Sequence, residues 1–158
     1  MKRKGGLFMC LVGGLVGVLS CALKKMPDGE LVSVEYTRSG TMAGYVYEGH
    51  VERDSTGAFV LRAMKENYGP LFEKKLDVAT MRKFRQIIEE EKMYKYKESY
   101  TPMLEVLDGW NWSFHATFSD GSVISSHGSN ASPRDNGLNR IRDYMAELIQ
   151  DGVQIETE

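Results

Sequence analysis

Cysteine is scarce in this chain, with Cys10 and Cys21 the two examples among 158 residues. Cys10 lies in an apolar leader, so a chain processed after that leader keeps one cysteine and forms no internal disulfide. The three histidines, His50, His115 and His127, have no tight metal-ligand spacing. A P-loop, a dinucleotide fingerprint, a CxxC pair, an HExxH motif and a calcium loop are all missing, so no cofactor or metal is expected. No Gly-x-Ser-x-Gly elbow marks a hydrolase nucleophile. The apolar run Leu7 to Leu19, at 13 residues, is shorter than the roughly 20 that a membrane-crossing helix needs.

What is present at the start is an address. Lys2, Arg3 and Lys4 precede the short apolar run, and a small residue, Ser20, follows it, the pattern of a secretory signal peptide. Val18-Leu19-Ser20-Cys21 resembles the lipobox of bacterial lipoproteins, with Leu19 bulkier than the usual residue at its position. An ordinary signal peptide and an uncleaved anchor are the alternatives. The resemblance implies a leader of residues 1–20 that is cleaved, diacylglycerol on Cys21, and a lipidated tether over 21–30. Two or more acyl chains hold a protein stably on a membrane, where one does not. Ala22 stands where an Asp would resemble an inner-membrane retention signal, which favours the outer membrane, on its periplasmic side or at the cell surface. Loss of the leader removes three basic and no acidic residues, leaving 17 basic against 22 acidic, a formal charge of −5. A mildly acidic domain without a basic cluster speaks against a nucleic-acid partner.

The remainder is long enough for one compact domain, expected over 31–152 with 153–158 frayed. Val32, Val34 and Tyr36 alternate with polar residues, as do Tyr45, Tyr47 and Val51, then Phe59, Leu61 and Ala63, which predicts a three-stranded meander. A looser stretch, 66–76, leads to a helix with Asp77 as N-cap and Met81, Phe84, Ile87 and Ile88 on its buried stripe. The second half repeats the plan with strands at 104–106, 110–119 and 122–126. A helix follows, opened by Ser132-Pro133, buried through Leu138, Ile141, Met145 and Leu148, and closed by Gly152. The expectation is an α+β fold, an antiparallel sheet with two helices on one face, in the order βββα-βββα. GYVYEGH (44–50) and GWNWSFH (109–115) echo each other, by internal duplication or by the chance likeness of aromatic-rich strands.

Parity divides GWNWSFH. Trp110, Trp112 and Phe114 share a face with Ala116 and Phe118, which predicts a core face, with a ligand-binding aromatic platform as the alternative. His50 and His115 take the opposite, wet face beside Glu35, Glu48, Glu52, Arg62 and Asn111. Glu48, His50, Asn111 and His115 are the candidate binding face. His127 and its neighbouring serines, Ser125, Ser126 and Ser129, would suit nucleophilic catalysis if their geometry allowed it.

The segment FSDGSVISSHGSNASP, followed by a closing helix, resembles small lipoproteins of Bacteroidetes-type bacteria that share a Trp-x-Phe strand, an Asp-Gly turn and a Ser-x-Gly-x-Asn-x-x-Pro loop. The resemblance covers roughly residues 105 to 150 and implies lineage and cell envelope without a chemistry. The expected function is that of a lipid-anchored envelope protein, non-catalytic, binding an envelope protein or component through the open face of its sheet. The alternative is a periplasmic hydrolase using His127 and a nearby serine.

Overall fold

The computed structural model describes residues 24–40, 45–66, 69–104 and 109–155. Residues 1–23, which include Cys21, and residues 41–44, 67–68, 105–108 and 156–158 lie outside the described residues. Within them, a single alternation organises the molecule. In β1 (Leu31–Gly40), Val34 and Tyr36 are buried and Glu35 between them is exposed, so one side of this strand is dry and the other wet. Seven further strands extend the division: β2 (Tyr45–Arg53), β3 (Phe59–Met64), β4 (Leu71–Leu76), β5 (Ser99–Tyr100), β6 (Trp110–Phe118), β7 (Val123–Ser129) and β8 (Val153–Gln154). They form one sheet in the order β5-β7-β6-β1-β2-β3-β4-β8, antiparallel except where β5 runs parallel to β7. The helices α1 (Val78–Glu90) and α2 (Gly137–Leu148) both pack on the dry face, which gives the expected α+β architecture.

The turns have local causes. Asp54 Oδ1 accepts hydrogen bonds from the Thr56 and Ala58 amides, and Gly57 takes φ +84° to close the β2–β3 turn. Asp120 and Gly121 do the same between β6 and β7, with the Ser122 amide donating to Asp120 Oδ1 at 2.9 Å. In β1 the register shifts between Leu31 and Ser33, a bulge that turns Leu31 back into the core opposite Phe118. Asp77 caps α1 as its position predicts, its carboxylate accepting from the Thr80 amide at 2.7 Å. Met81, Phe84, Ile87 and Ile88 then fall on one stripe and are buried. Ile141 and Met145 of α2 are fully buried beside them.

Five expectations are corrected. The stretch read as loose contains β4, whose core-facing series is Phe72, Lys74, Leu76, opposite Ala63, Leu61 and Phe59. Lys74 hides the pattern: near the sheet edge its ammonium escapes to Asp151 Oδ1 at 2.6 Å. Leu104, expected to open a strand over 104–106, is exposed in a bend, while residues 105 and 106 lie outside the described residues; the strand that pairs with the outer side of β7 is β5. The second helix starts at Gly137, not at Pro133, because Asp135 Oδ1 turns the chain by accepting the Gly137 amide at 2.9 Å. Its last turn tightens into a 3-10 turn, Ile149–Asp151, and Gly152 follows in an extended conformation with φ −67°, without the left-handed turn of a C-cap glycine. Val153 and Gln154, expected to fray, form β8 against β4.

The tether is likewise docked along residues 24–30. Arg85 of α1 donates to the Pro27 carbonyl at 2.8 Å and the Gly29 carbonyl at 3.3 Å, while Asp120 accepts the Gly29 amide at 3.0 Å. Lys24 Nζ donates to the Tyr96 carbonyl at 2.5 Å.

The two helices meet at Phe84, fully buried and edge-on to Tyr144 with ring centroids 4.7 Å apart. Phe84→Ala is expected to cost about 3–5 kcal/mol in urea unfolding. A cost below about 1 kcal/mol would show that this contact does not join the helices to the sheet.

Candidate functional site

The two echoing strands lie on either side of β1. In the register of β1, Glu35 faces His50 of β2 on one side and His115 of β6 on the other, all three on the wet side. The row continues to Ser125 of β7 and, in the other direction, to Arg62 of β3 and Glu73 of β4. With β1 between them, His50 and His115 stand about 10 Å apart, too far to touch and each within reach of Glu35. The next row carries His127, Ser113, Thr37 and Glu48. The face therefore gathers Glu48, His50 and His115, and also His127, diagonal to His115 on the neighbouring strand. Asn111 shares it from the start of β6, opposite Ser39, one rung beyond Ser113 on the same side.

Two hydroxyl pairs pin β1 to β6 across this face, Ser33 with Thr117 at 2.6 Å and Thr37 with Ser113 at 2.7 Å. Arg62 is held by Glu52 at 2.5 Å and Glu73 at 2.9 Å. The Glu73 hydrogen bond, ahead of the charges of both acids, raises the guanidinium above its ordinary range. His50 Nε2 lies 3.9 Å from Glu52 Oε1, the oxygen that Arg62 also holds. Among the described residues no lysine or arginine forms an ion pair with Glu35 or Glu48, so the middle of the face keeps two carboxylates open to a partner. No group of three or more His, Cys, Asp or Glu among the described residues is arranged to hold a metal ion.

The aromatic residues take the other side, as parity predicts. Trp112, Phe114, Ala116 and Phe118 are buried, and the Trp112 indole donates to the Ala131 carbonyl at 2.7 Å. Trp110 is half-buried at the end of the strand with the Arg38 guanidinium 4.8 Å above its ring. Together with Pro133 and Asp135 these two residues line a cleft of about 140 Å³, which sequence reading missed because it depends on where the 132–136 turn lands.

His127 is not assembled with a serine. Ser126 points to the opposite side of β7, fully buried, and its hydroxyl donates to the Lys97 carbonyl at 2.6 Å. Ser113, opposite His127, is joined to Thr37. Among the described residues no hydrogen bond links His127 to a hydroxyl. Ser125 and Ser129 sit two residues either side of His127 on the same face.

The chain matches no protein-family model, and no curated protein and no solved structure resembles it at a significant level.

Ser126 thus has a structural role, joining β7 to the segment ahead of β5. Ser126→Ala should destabilise the fold by about 1–3 kcal/mol, because the Lys97 carbonyl loses the donor that the buried Ser126 supplies. Chemical denaturation measures it. Unchanged stability together with loss of a serine-directed phosphonate label would instead assign this hydroxyl to catalysis.

Proposed function

We propose that the protein is a lipid-anchored component of a bacterial cell envelope that binds an envelope protein or component through the uncovered face of its sheet, without catalysis. The observation that carries this reading is the contrast between the two sides of one sheet. One side is sealed under α1 and α2, and the other sets Glu35 and Glu48 among three histidines. Strands buried on one side alone present an open surface on which backbone pairing sets the points where side chains attach. Such a surface suits recognition by complementary polar and cationic groups. The lipobox-like Val18-Leu19-Ser20-Cys21 supports the anchor, and the membrane is the second partner of this reading.

Two measurements test it. Cys21→Ala should abolish labelling by a fatty-acid analogue and leave an uncleaved or soluble chain; persistent labelling contradicts the anchor. Replacing Glu48, His50, Asn111 and His115 together should remove the partner captured by crosslinking in intact cells while leaving the melting temperature nearly unchanged, since all four lie on the wet side. An unchanged set of crosslinked partners contradicts the choice of face.

A further inference from the structure

The mature chain is acidic overall, yet one edge of the domain is basic. Between α1 and β5 the chain runs Lys92-Met93-Tyr94-Lys95-Tyr96-Lys97. Met93 and Tyr96 are buried and act as pegs, so Lys92, Lys95 and Lys97 are turned out to solvent with the half-buried Tyr94 among them. Lys92 makes the corner, in the left-handed conformation at φ 54°. The Tyr96 hydroxyl donates to Asp135 and fixes the turn to the start of α2. Burial, then that hydrogen bond, keeps this phenol protonated above its ordinary range.

The docked tether brings Lys24 and Lys25 to the same place. These two lysines, Tyr94, Tyr96 and Glu98 line one shallow cleft. The neighbouring carboxylates are mostly engaged: Asp28 by Lys25 at 2.8 Å, and Glu90 and Glu91 by Arg140 at 2.8 and 2.7 Å. Glu98, Asp120 and Asp135 form no ion pair among the described residues; Asp120 accepts the Gly29 and Ser122 amides, and Asp135 accepts the Tyr96 hydroxyl and the Gly137 amide. Three and four residues after β5 in the chain, Met103 and Leu104 are large apolar side chains left exposed.

Chain length then limits where the lipid can be. The Lys24 ammonium is held by the Tyr96 carbonyl, and two residues, Ala22 and Leu23, lie between Lys24 and Cys21. An extended chain spans at most about 3.6 Å per residue, so these three steps keep Cys21 within about 11 Å of the Lys24 backbone, and a lipid on it enters the membrane beside this edge. We propose that the domain stands edge-on, with the lysine edge of Lys24, Lys92, Lys95 and Lys97 seated on anionic lipid headgroups and the β8 edge pointing away. The proposal rests on the lipid-anchor reading. Lysines at such a surface gain from its negative potential, tyrosine suits the interfacial depth, and exposed Met and Leu side chains add apolar contact. A sheet of eight strands at about 4.8 Å spacing puts β8 roughly 30 Å above the headgroups. The Glu35 face is then upright, perpendicular to the membrane, and open to a partner held in the same plane.

The test uses the acylated full-length protein, purified from membranes and reconstituted into phosphatidylcholine vesicles with or without phosphatidylglycerol. Cys21 is the sole cysteine after processing and is blocked by its lipid, so single reporters can be placed by Ser99→Cys on β5 or Gln154→Cys on β8. Headgroup-attached spin labels should quench the Ser99→Cys fluorophore in anionic vesicles and leave the Gln154→Cys fluorophore bright. Changing Lys92, Lys95 and Lys97 to Gln should return the Ser99→Cys signal to its level in neutral vesicles, with the circular dichroism unchanged. Equal quenching at the two sites, or quenching at Ser99→Cys that survives the triple change, overturns the orientation while the anchor stands. Absence of fatty acid on Cys21 overturns the anchor and the orientation together. Lysine-dependent crosslinks to another protein without quenching would give this edge to a protein partner and overturn the membrane assignment.

Discussion

The pairing of β1 with β2 on one side and β6 on the other is the constraint on which the rest of the molecule depends. Side chains alternate along a strand, so a slip of one residue in either pairing would send Tyr36 or Phe114 into water and Glu35 or His115 into the core. The dry side opposes such a slip through burial of Tyr36, Trp112 and Phe114, and the wet side through the hydroxyl pairs Ser33–Thr117 and Thr37–Ser113. The same register that seats the core also puts His50 and His115 opposite one glutamate, Glu35. Stability and the composition of the candidate face are therefore two results of a single alignment.

The helices and the tether build on that alignment. Asp77 and Asp135 start α1 and α2, and Phe84 and Tyr144 bring the two helices together over the sheet. Arg85, on the flank of α1, then holds the carbonyls of Pro27 and Gly29. A chain that could have been a free leash becomes part of the domain surface up to Lys24. Any anchor at Cys21 would therefore control the domain's posture as well as its location.

Much of this was legible in the sequence, and the boundary of legibility has physical causes. Strict alternation identified β1, β2, β3, β6 and β7, and it separated Trp112 from His115. The 3.6-residue spacing gave the buried stripe of α1, and Asp77 gave its start. Edge strands were poorly legible because an edge loosens the alternation: Lys74 occupies a core-facing position in β4, and β5 and β8 are two residues each. The start of α2 was misplaced because Ser132-Pro133 looks like a cap, while the turn is made by Asp135. Of the candidate face, the membership of His50, His115 and Glu35 was legible and the place of Glu35 between the two histidines was not, since strand order is a property of the fold. His127 joined the same face for that reason. The lysine edge was hidden because Lys24 and Lys97 are distant in sequence and meet through Tyr96.

The central claim is that the wet face of the sheet is occupied by a partner in the envelope. Carbethoxylation of His50, His115 and His127, read by peptide mass spectrometry on the purified protein and on intact cells, tests it directly. The account predicts that all three histidines react in the purified protein and that His50 and His115 are protected in cells. Equal modification of His50 and His115 in the two settings would contradict it.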